Sequence, residues 1–153
     1  MALDDYESIL DASWDEIPTD KLLPVGSYRL RGQNLSIMKA RSADQNDVFL
    51  FVYTVREALD DVDQDELEAL GDYDLESKKI FQKFWVDTGA DFDAVRKHLK
   101  KHGIDTTGRS IKETAEAFKG TEVIAYLGVK TYENKVGDTV QDNEPSQFAP
   151  VDD

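Results

Sequence analysis

The apolar alternation in residues 25–41 (VGSYRLRGQNLSIMKAR) changes phase partway along, and this constrains the fold more than any other feature. Tyr28 and Leu30 are apolar at even positions, whereas Leu35 and Ile37 are apolar at odd positions. A two-residue period shifts by one where an extra residue is inserted, as in a β-bulge, and Gly32 lies at the change of phase. The segment therefore predicts one long, bent strand.

The rest of the chain adds three strands, one short final strand and helical segments between them. We predict strands over 48–56, 78–87 and 121–132, and a short last strand over 148–151. An acidic insertion, 57–76, follows the second strand, and Asp63 or Asp65 can cap a helix in it that ends near Gly71. After the third strand, Asp91 is expected to cap a helix over 92–102, and Ser110 to Glu113 form a capping box for a helix reaching Phe118.

This order predicts a mainly β fold with helices. A long bulged strand, a three-strand meander and a helical segment before the fourth strand are typical of a five-stranded Greek-key barrel, the OB-fold. The alternative is an open α+β sheet with helices on one face. We predict an N-terminal acidic amphipathic helix within 1–20, an OB-fold-like domain over 21–137 that includes the insertion 57–76, and an acidic C-terminal tail over 138–153.

Charge is distributed unevenly along the 153 residues, whose formal net charge is −14. Residues 1–20 contain seven acids, 57–76 contain ten and 138–153 contain five, and none of the three segments contains Lys or Arg. The remainder carries 18 basic and 10 acidic residues, which predicts a basic body with three acidic appendages.

Several kinds of chemistry lack support in the sequence. There is no Cys, no phosphate-binding glycine loop, and no acid between His98 and His102, which lysines surround, so we interpret these histidines as solvated rather than metal-binding. Asp61, Asp63 and Asp65 alternate as in a calcium loop, but Glu66 stands where such a loop needs Gly. We therefore expect that the protein is not an enzyme and uses no cofactor or metal. Because the sequence has no long apolar run and no signal-peptide pattern, we expect a soluble cytoplasmic protein.

The strongest functional pattern is a strand face rather than a motif. Rings and cations alternate on the third strand, three rings share one side of the second strand, and further residues could form rims for the same surface. Because a single-stranded nucleic acid offers base faces and phosphates in turn, such a surface predicts binding without sequence readout. The predicted single-stranded-DNA-binding residues are Arg29, Arg31, Phe49, Phe51, Tyr53, Arg56, Lys79, Phe81, Lys83, Trp85, Lys130 and Tyr132, with Lys39 and Arg41 as further rims.

The alternative for Phe49, Phe51 and Phe81 is a place in the hydrophobic core, and both interpretations remain open. The binding prediction requires that Tyr53, Lys83 and Trp85 share one open face. If they pointed to opposite sides of the sheet, a role in protein contact would be favoured instead.

The chain also resembles the small single-stranded-DNA-binding proteins that bacteriophages encode for replication and recombination. The similarity spans about residues 18–150, and is one of element order and residue type. It rests on Leu23 to Tyr28 (LPVGSY), Ile80 to Trp85 (IFQKFW), the helix 92–103, Phe118 to Val123 (FKGTEV) and the closing KTY and QFAP segments. The resemblance implies an OB-fold, coating of single strands, and contact with replication or recombination enzymes. For a phage-encoded protein we expect a location in the host cytoplasm, and a homo-oligomer is one open assembly.

Such proteins commonly end in an acidic tail that competes with DNA and recruits partner enzymes. Residues 138–153 fit by charge, but they end Val151-Asp152-Asp153 rather than in an exposed aromatic. A docked tail and a recruiting tail remain open. A different functional hypothesis is an acidic interaction module, a DNA mimic or adaptor, whose negative surface binds a basic partner. A hydrolytic enzyme using carboxylates is the weakest alternative.

Overall fold

The computed structural model describes residues 21–39 and 46–151. The helix predicted within 1–20, the predicted rim residue Arg41 and the last two residues of the predicted tail lie outside this part of the chain. Five antiparallel strands form one sheet in the order β3-β2-β1-β4-β5. They are β1 (Gly26–Met38), β2 (Asp47–Ala58), β3 (Lys79–Val86), β4 (Glu122–Glu133) and β5 (Thr139–Pro150).

The bent first strand is confirmed. Its pairing with β2 shifts register between Arg29 and Leu30 and again between Gly32 and Asn34. At Gly32 the strand passes so close to the carbonyl oxygen of Phe118 that an added Cβ would lie 2.5 Å from it. The absence of a side chain therefore lets the bulged strand pack directly against the segment that leads into β4.

Helices occupy the two connections where they were predicted. The insertion contains α1 (Gln64–Glu68) and a 3₁₀ turn (Leu75–Ser77), and the connection from β3 to β4 contains α2 (Gly89–Lys101) and α3 (Ile111–Phe118). Asp63 caps α1 and Ser110 caps α3, as expected. The predicted start of α2 is wrong: Thr88 is the N-cap, and Asp91 lies in the first turn, where its carboxylate accepts from the backbone N–H groups of Asp87 and Thr88.

The hydrophobic core lies between one face of the sheet and the helices α2 and α3. Tyr28 and Leu30 of β1 and Val123, Ala125 and Leu127 of β4 are fully buried there. The helices contribute the buried apolar side chains Val95, Leu99 and Phe118. Covering of one sheet face leaves the other face available for a functional site.

The predicted boundary between domain and tail at residue 138 is wrong. Residues 139–150 form a complete strand that pairs with β4 from Thr139 opposite Glu133 to Pro150 opposite Val123. The short strand expected over 148–151 was therefore only the end of a longer one. Of the two interpretations of the tail, docking is the one that the structure gives for these residues.

The two edge strands, β3 and β5, approach each other where each begins. Lys78, only 2% exposed, donates from Nζ to the carbonyl oxygen of Lys21 at 2.9 Å and lies 3.5 Å from Oδ1 of Asp142. β3 and β5 are the two edge strands of the sheet and form no ladder of backbone hydrogen bonds with each other. The contacts of Lys78 hold these two edges close together.

The acidic insertion packs against one end of the sheet through Val62, which is 2% exposed. Asp61 anchors it by accepting from the backbone N–H and the hydroxyl of Ser27, both at 2.8 Å. Within residues 21–39 and 46–151, none of the helices has both the length and the apolar character needed to cross a bilayer.

Candidate nucleic-acid interface

The outward side of β3 presents the predicted alternation of rings and cations. Phe81 is 47% exposed and Trp85 58% exposed, and Lys79 and Lys83 are exposed on the same side. Ile80 and Val86, on the opposite side of the strand, are buried. Two exposed aromatic rings on one side of a strand form a surface to which a ligand or partner can bind.

The rings of β2 do not belong to this surface. Residues directly opposite each other in an antiparallel pair share a face, and Tyr53 lies opposite the buried Ile80. Phe81 instead faces Val52 across the ladder, and Lys83 faces Leu50. The placement of Phe49, Phe51 and Tyr53 on an open face is therefore wrong, because these residues are at most 4% exposed and lie in the core.

Aromatic packing explains why the core takes these rings. The Phe51 ring meets the Phe118 ring edge-on at a centroid distance of 5.2 Å, and Phe49 meets Phe92 in the same way at 5.8 Å. Edge-to-face pairs of this kind add to the free energy gained by burial. The requirement that Tyr53, Lys83 and Trp85 share one face is consequently not met, and the candidate surface is smaller than predicted.

A groove of about 710 Å³ runs along the exposed side of β3 and is bounded on its far side by β4 and β5. Phe81, Lys83 and Trp85 line the β3 wall, and Lys130 and Tyr132 line the β4 wall. Tyr132 is 45% exposed, and the Lys130 Nζ lies 5.6 Å from the centre of its ring. Three rings and two ammonium groups from distant parts of the sequence thus meet in one groove.

Other lining residues were missed in the sequence. Met38 and Leu50 add apolar surface, and Asp142 and Glu144 of β5 add carboxylates. Asp142 is engaged by the ammonium of Lys78 at 3.5 Å. Asp142 and Glu144 are two residues apart, a spacing that indicates a shared strand face. They were missed in the sequence because residues 139–150 were not predicted as a strand.

The predicted arginine rims lie elsewhere. Arg29 is 3.3 Å from the carboxylate of Glu57, and Arg56 pairs with Glu76 and lies 3.5 Å from Glu122. These ion pairs connect β1, β2 and β4 to the acidic insertion. Arg29, Arg31, Arg56 and Lys79 do not line the groove, and the Lys79 Nζ donates to the Gln33 side chain at 2.6 Å.

The interpretation of His98 and His102 as solvated is wrong. Both are buried, and the Tyr53 hydroxyl lies 2.7 Å from Nε2 of His98 and 2.8 Å from Nε2 of His102. Burial lowers the pKa of His98 to about 3 and the pKa of His102 to about 4, with the charge of Lys101 acting in the same direction. Both rings are therefore neutral near pH 7 and add no charge to the protein surface.

The hydrogen-bond partners define the direction of this network. Nδ1 of His102 lies 2.7 Å from the carbonyl oxygen of His98, which can only accept, so Nδ1 carries the proton. Nε2 of neutral His102 then accepts from the Tyr53 hydroxyl, and the Tyr53 oxygen accepts from Nε2–H of His98. Burial also raises the pKa of Tyr53, which keeps its hydroxyl protonated. The cluster is a satisfied part of the core.

Within the described ranges, no group of three or more His, Asp or Glu side chains is arranged to hold a metal ion. The calcium-like acids have other partners, since Asp61 accepts from Ser27 and Asp63 caps α1.

Comparison with known proteins identifies neither a family nor a function for this chain. No protein-family model matches the chain, and no curated protein is significantly similar to it. The functional argument therefore rests on the groove.

Proposed function

We propose that this protein binds single-stranded DNA without reading its sequence, in the groove between β3 and the β4–β5 hairpin. Bases stack on Phe81, Trp85 and Tyr132, and phosphates contact Lys83 and Lys130. The observation that carries this proposal is the convergence of three exposed rings and two cations in one groove. Stacking of about 1–3 kcal/mol per base, together with salt-sensitive phosphate contacts, is sufficient for strand-coating proteins.

The β2 rings fail the requirement stated for Tyr53, Lys83 and Trp85, and that failure alone would favour a role in protein contact. We retain single-stranded DNA as the ligand because Tyr132 and Lys130 on the facing wall supply the second ring and cation that the β2 strand was expected to supply. Phe81 and Trp85 are four residues apart on a strand, so their Cα atoms are separated by about 13 Å. The two rings can therefore contact different bases of one strand, with Lys83 between them. Lys130 and Tyr132 repeat the pairing of cation and ring on the facing wall.

The arrangement of strands supports the proposal that the sheet is an OB-type barrel. β1 to β3 form a meander, β4 returns to pair with β1, and helices connect β3 to β4. In OB-folds the face of the second and third strands binds oligonucleotides. The groove lies beside that face, because Leu50 of β2 and Phe81 of β3 both line it.

The resemblance noted in the sequence adds a biological setting to this proposal. It suggests a phage protein that coats single strands during replication and recombination in the host cytoplasm, in contact with other replication or recombination proteins. Residues 139–150 pair with β4, so we do not assign that contact to a free peptide made of those residues.

Fluorescence anisotropy of labelled oligo-dT at two salt concentrations tests the proposal directly. We expect Phe81→Ala and Trp85→Ala each to weaken binding by about 5-fold to 150-fold, the equivalent of about 1–3 kcal/mol per stacked base. Ile111→Ala is the matched control, since Ile111 is also 47% exposed but lies on α3 outside the groove. Unchanged affinity in Trp85→Ala/Lys83→Ala would remove the site.

A second candidate function is supported by the insertion. All ten acidic residues of 57–76 are exposed, although the segment packs on the sheet through Val62. Such a surface suits a basic protein partner. This alternative predicts no affinity for oligo-dT at either salt concentration, and a salt-sensitive complex with a basic protein that weakens when insertion acids are replaced by amides.

A further inference from the structure

We call the groove lined by Phe81, Trp85 and Tyr132 the ring groove. Two more clefts adjoin it on the side of α2. The first, of about 420 Å³, is lined by Lys97 and Lys101 and shares Gln82 and Pro145 with the ring groove. The second, of about 450 Å³, shares Lys97 with the first. The groove and the first cleft meet at Gln82 and Pro145, and the two clefts meet at Lys97, so the three depressions follow one another from the exposed side of β3 to α2.

The α2 end of this path is basic. Arg96 and Lys100 line the second cleft with Lys97, and the hydroxyl residues Thr106 and Thr107 lie beside them. Arg96 pairs with Asp93, whereas in the described part of the chain Lys97, Lys100 and Lys101 form no ion pair with a carboxylate. Asp105, the acid in this cleft, accepts from the backbone N–H of Thr107 at 2.9 Å.

This concentration of cations stands out in a protein with a net charge of −14. Fields act locally in salt solution, within a Debye length of about 8–10 Å, so a polyanion near α2 responds to these lysines rather than to the net charge. Neutral His98, which also lines the first cleft, contributes no charge. The α2 end of the path has the sign that a phosphate backbone requires, whereas Asp142 and Glu144 add negative charge in the groove from which the path starts.

We propose that the DNA strand bound in the ring groove continues past Gln82 and Pro145 onto α2, where its phosphates contact Lys97, Lys101 and Lys100. This extension rests on the proposed function and defines a longer binding site than the groove alone. In residues 21–39 and 46–151 no exposed ring lies beside the cations of α2, and Phe84 and Phe148 of the first cleft are half-buried, so this part of the path binds mainly through phosphates. The extension therefore adds affinity only for strands long enough to reach it.

The test compares oligo-dT of about 5 and about 16 nucleotides, near the limits of site sizes known for one OB-fold. In Lys97→Gln/Lys100→Gln/Lys101→Gln, we expect affinity for the short oligonucleotide to remain at the wild-type level. The long oligonucleotide should lose about fivefold per lysine at 0.1 M salt, and its slope of log affinity against log salt should fall by about 0.7 per lysine.

Lys112→Gln/Lys119→Gln is the control for charge, because both residues are exposed cations of the α3 region that line none of the three clefts. Melting temperature confirms that each variant is folded. Equal affinity of the triple variant and the wild type for the long oligonucleotide would overturn the extension and leave the groove intact. An equal loss for both lengths would also overturn it, since the lysines would then act on the groove from a distance. Failure of wild type to bind either length would instead refute the proposed function.

Discussion

The hydroxyl of Tyr53 is shared between two buried imidazoles in the aromatic part of the core. In Tyr53→Phe, Nε2 of both His98 and His102 would lose its partner without gaining water. We expect a loss of about 1–3 kcal/mol in the free energy of unfolding, the usual penalty for unsatisfied buried polar groups. Urea denaturation followed by circular dichroism measures this loss. Tyr126→Phe, at a half-buried position, should cost much less, and an equal cost would contradict the role given to the network.

The same histidines predict a loss of stability in mild acid. Their pKa values are lowered from 6.5 to about 3 and about 4, so below pH 6.5 the unfolded chain binds protons that the folded chain does not. Stability is then complete above pH 6.5 and falls as pH decreases towards the folded values. Between pH 6.5 and 5 we expect a loss of about 2 kcal/mol per histidine.

Urea denaturation at several pH values measures this slope. His98→Gln and His102→Gln should each be less stable than wild type at pH 7, yet lose stability about half as steeply between pH 6.5 and 5. A slope unaffected by either substitution would mean that other groups control the acid response.

At the scale of elements, the bulge of β1 depends on a position without a side chain. In Gly32→Ala the new Cβ would lie 2.5 Å from the backbone oxygen of Phe118, an atom that cannot move without shifting β4. We expect a decrease of about 1–3 kcal/mol in the free energy of unfolding, as for other overpacked sites. Gly89→Ala is the matched control: its Cβ meets nothing within 4 Å, and alanine in the first turn of α2 should be neutral or stabilising by up to about 1 kcal/mol.

β5 is an integral strand, so its removal should have a different result from removal of a free acidic tail. Deletion of residues 139–153 would expose the edge of β4 and remove the half-buried Phe148, which packs against His98 at a ring distance of 4.5 Å. We expect unfolding or aggregation, measured by circular dichroism and size-exclusion chromatography. A soluble, folded product with tighter DNA binding would instead support a competing tail.

The elements that the sequence predicted well are those with one buried and one exposed face. β1 has one buried and one exposed face, and the change of phase in its apolar residues located the bulge at Gly32. β2 is apolar on both faces, so alternation could not decide which set of residues entered the core. β5 is an edge strand with mostly exposed side chains, so it pairs through its backbone and carries no apolar period.

The histidines were misassigned for another reason. His98 and His102 recur at helical spacing with Val95 and Leu99 and share their buried face. That spacing was readable in the sequence, but the neighbouring lysines favoured a solvated interpretation. The groove could be predicted only in part, because the meeting of β3 with β4 and β5 depends on the curvature of the whole sheet.

At the scale of the whole molecule, charge is segregated. The exposed acids of 57–76 lie around the insertion at one end of the sheet, whereas Lys83 and Lys130 line the groove and Lys97, Lys100 and Lys101 lie on α2. Repulsion among the acids destabilises the folded state, whereas attraction between the lysines and phosphates would favour the DNA binding that we propose. Salt screens both the repulsion and the attraction. Weaker repulsion stabilises the folded state, whereas weaker attraction lowers the affinity for DNA.

Raising the NaCl concentration from about 0.05 M to about 0.5 M should therefore raise the melting temperature while weakening oligo-dT binding. Thermal denaturation and anisotropy on the same samples measure the two trends.

In Glu66→Gln/Glu68→Gln, which removes two exposed charges of α1, the melting temperature at low salt should rise and depend less on salt. In Lys83→Gln/Lys130→Gln, the slope of log affinity against log salt should decrease by about 0.7 per lysine, while the melting trend persists. If the α1 variant changed the binding slope as much as the lysine variant does, the two charge regions would not act separately, and net charge rather than the local field of the groove would control binding.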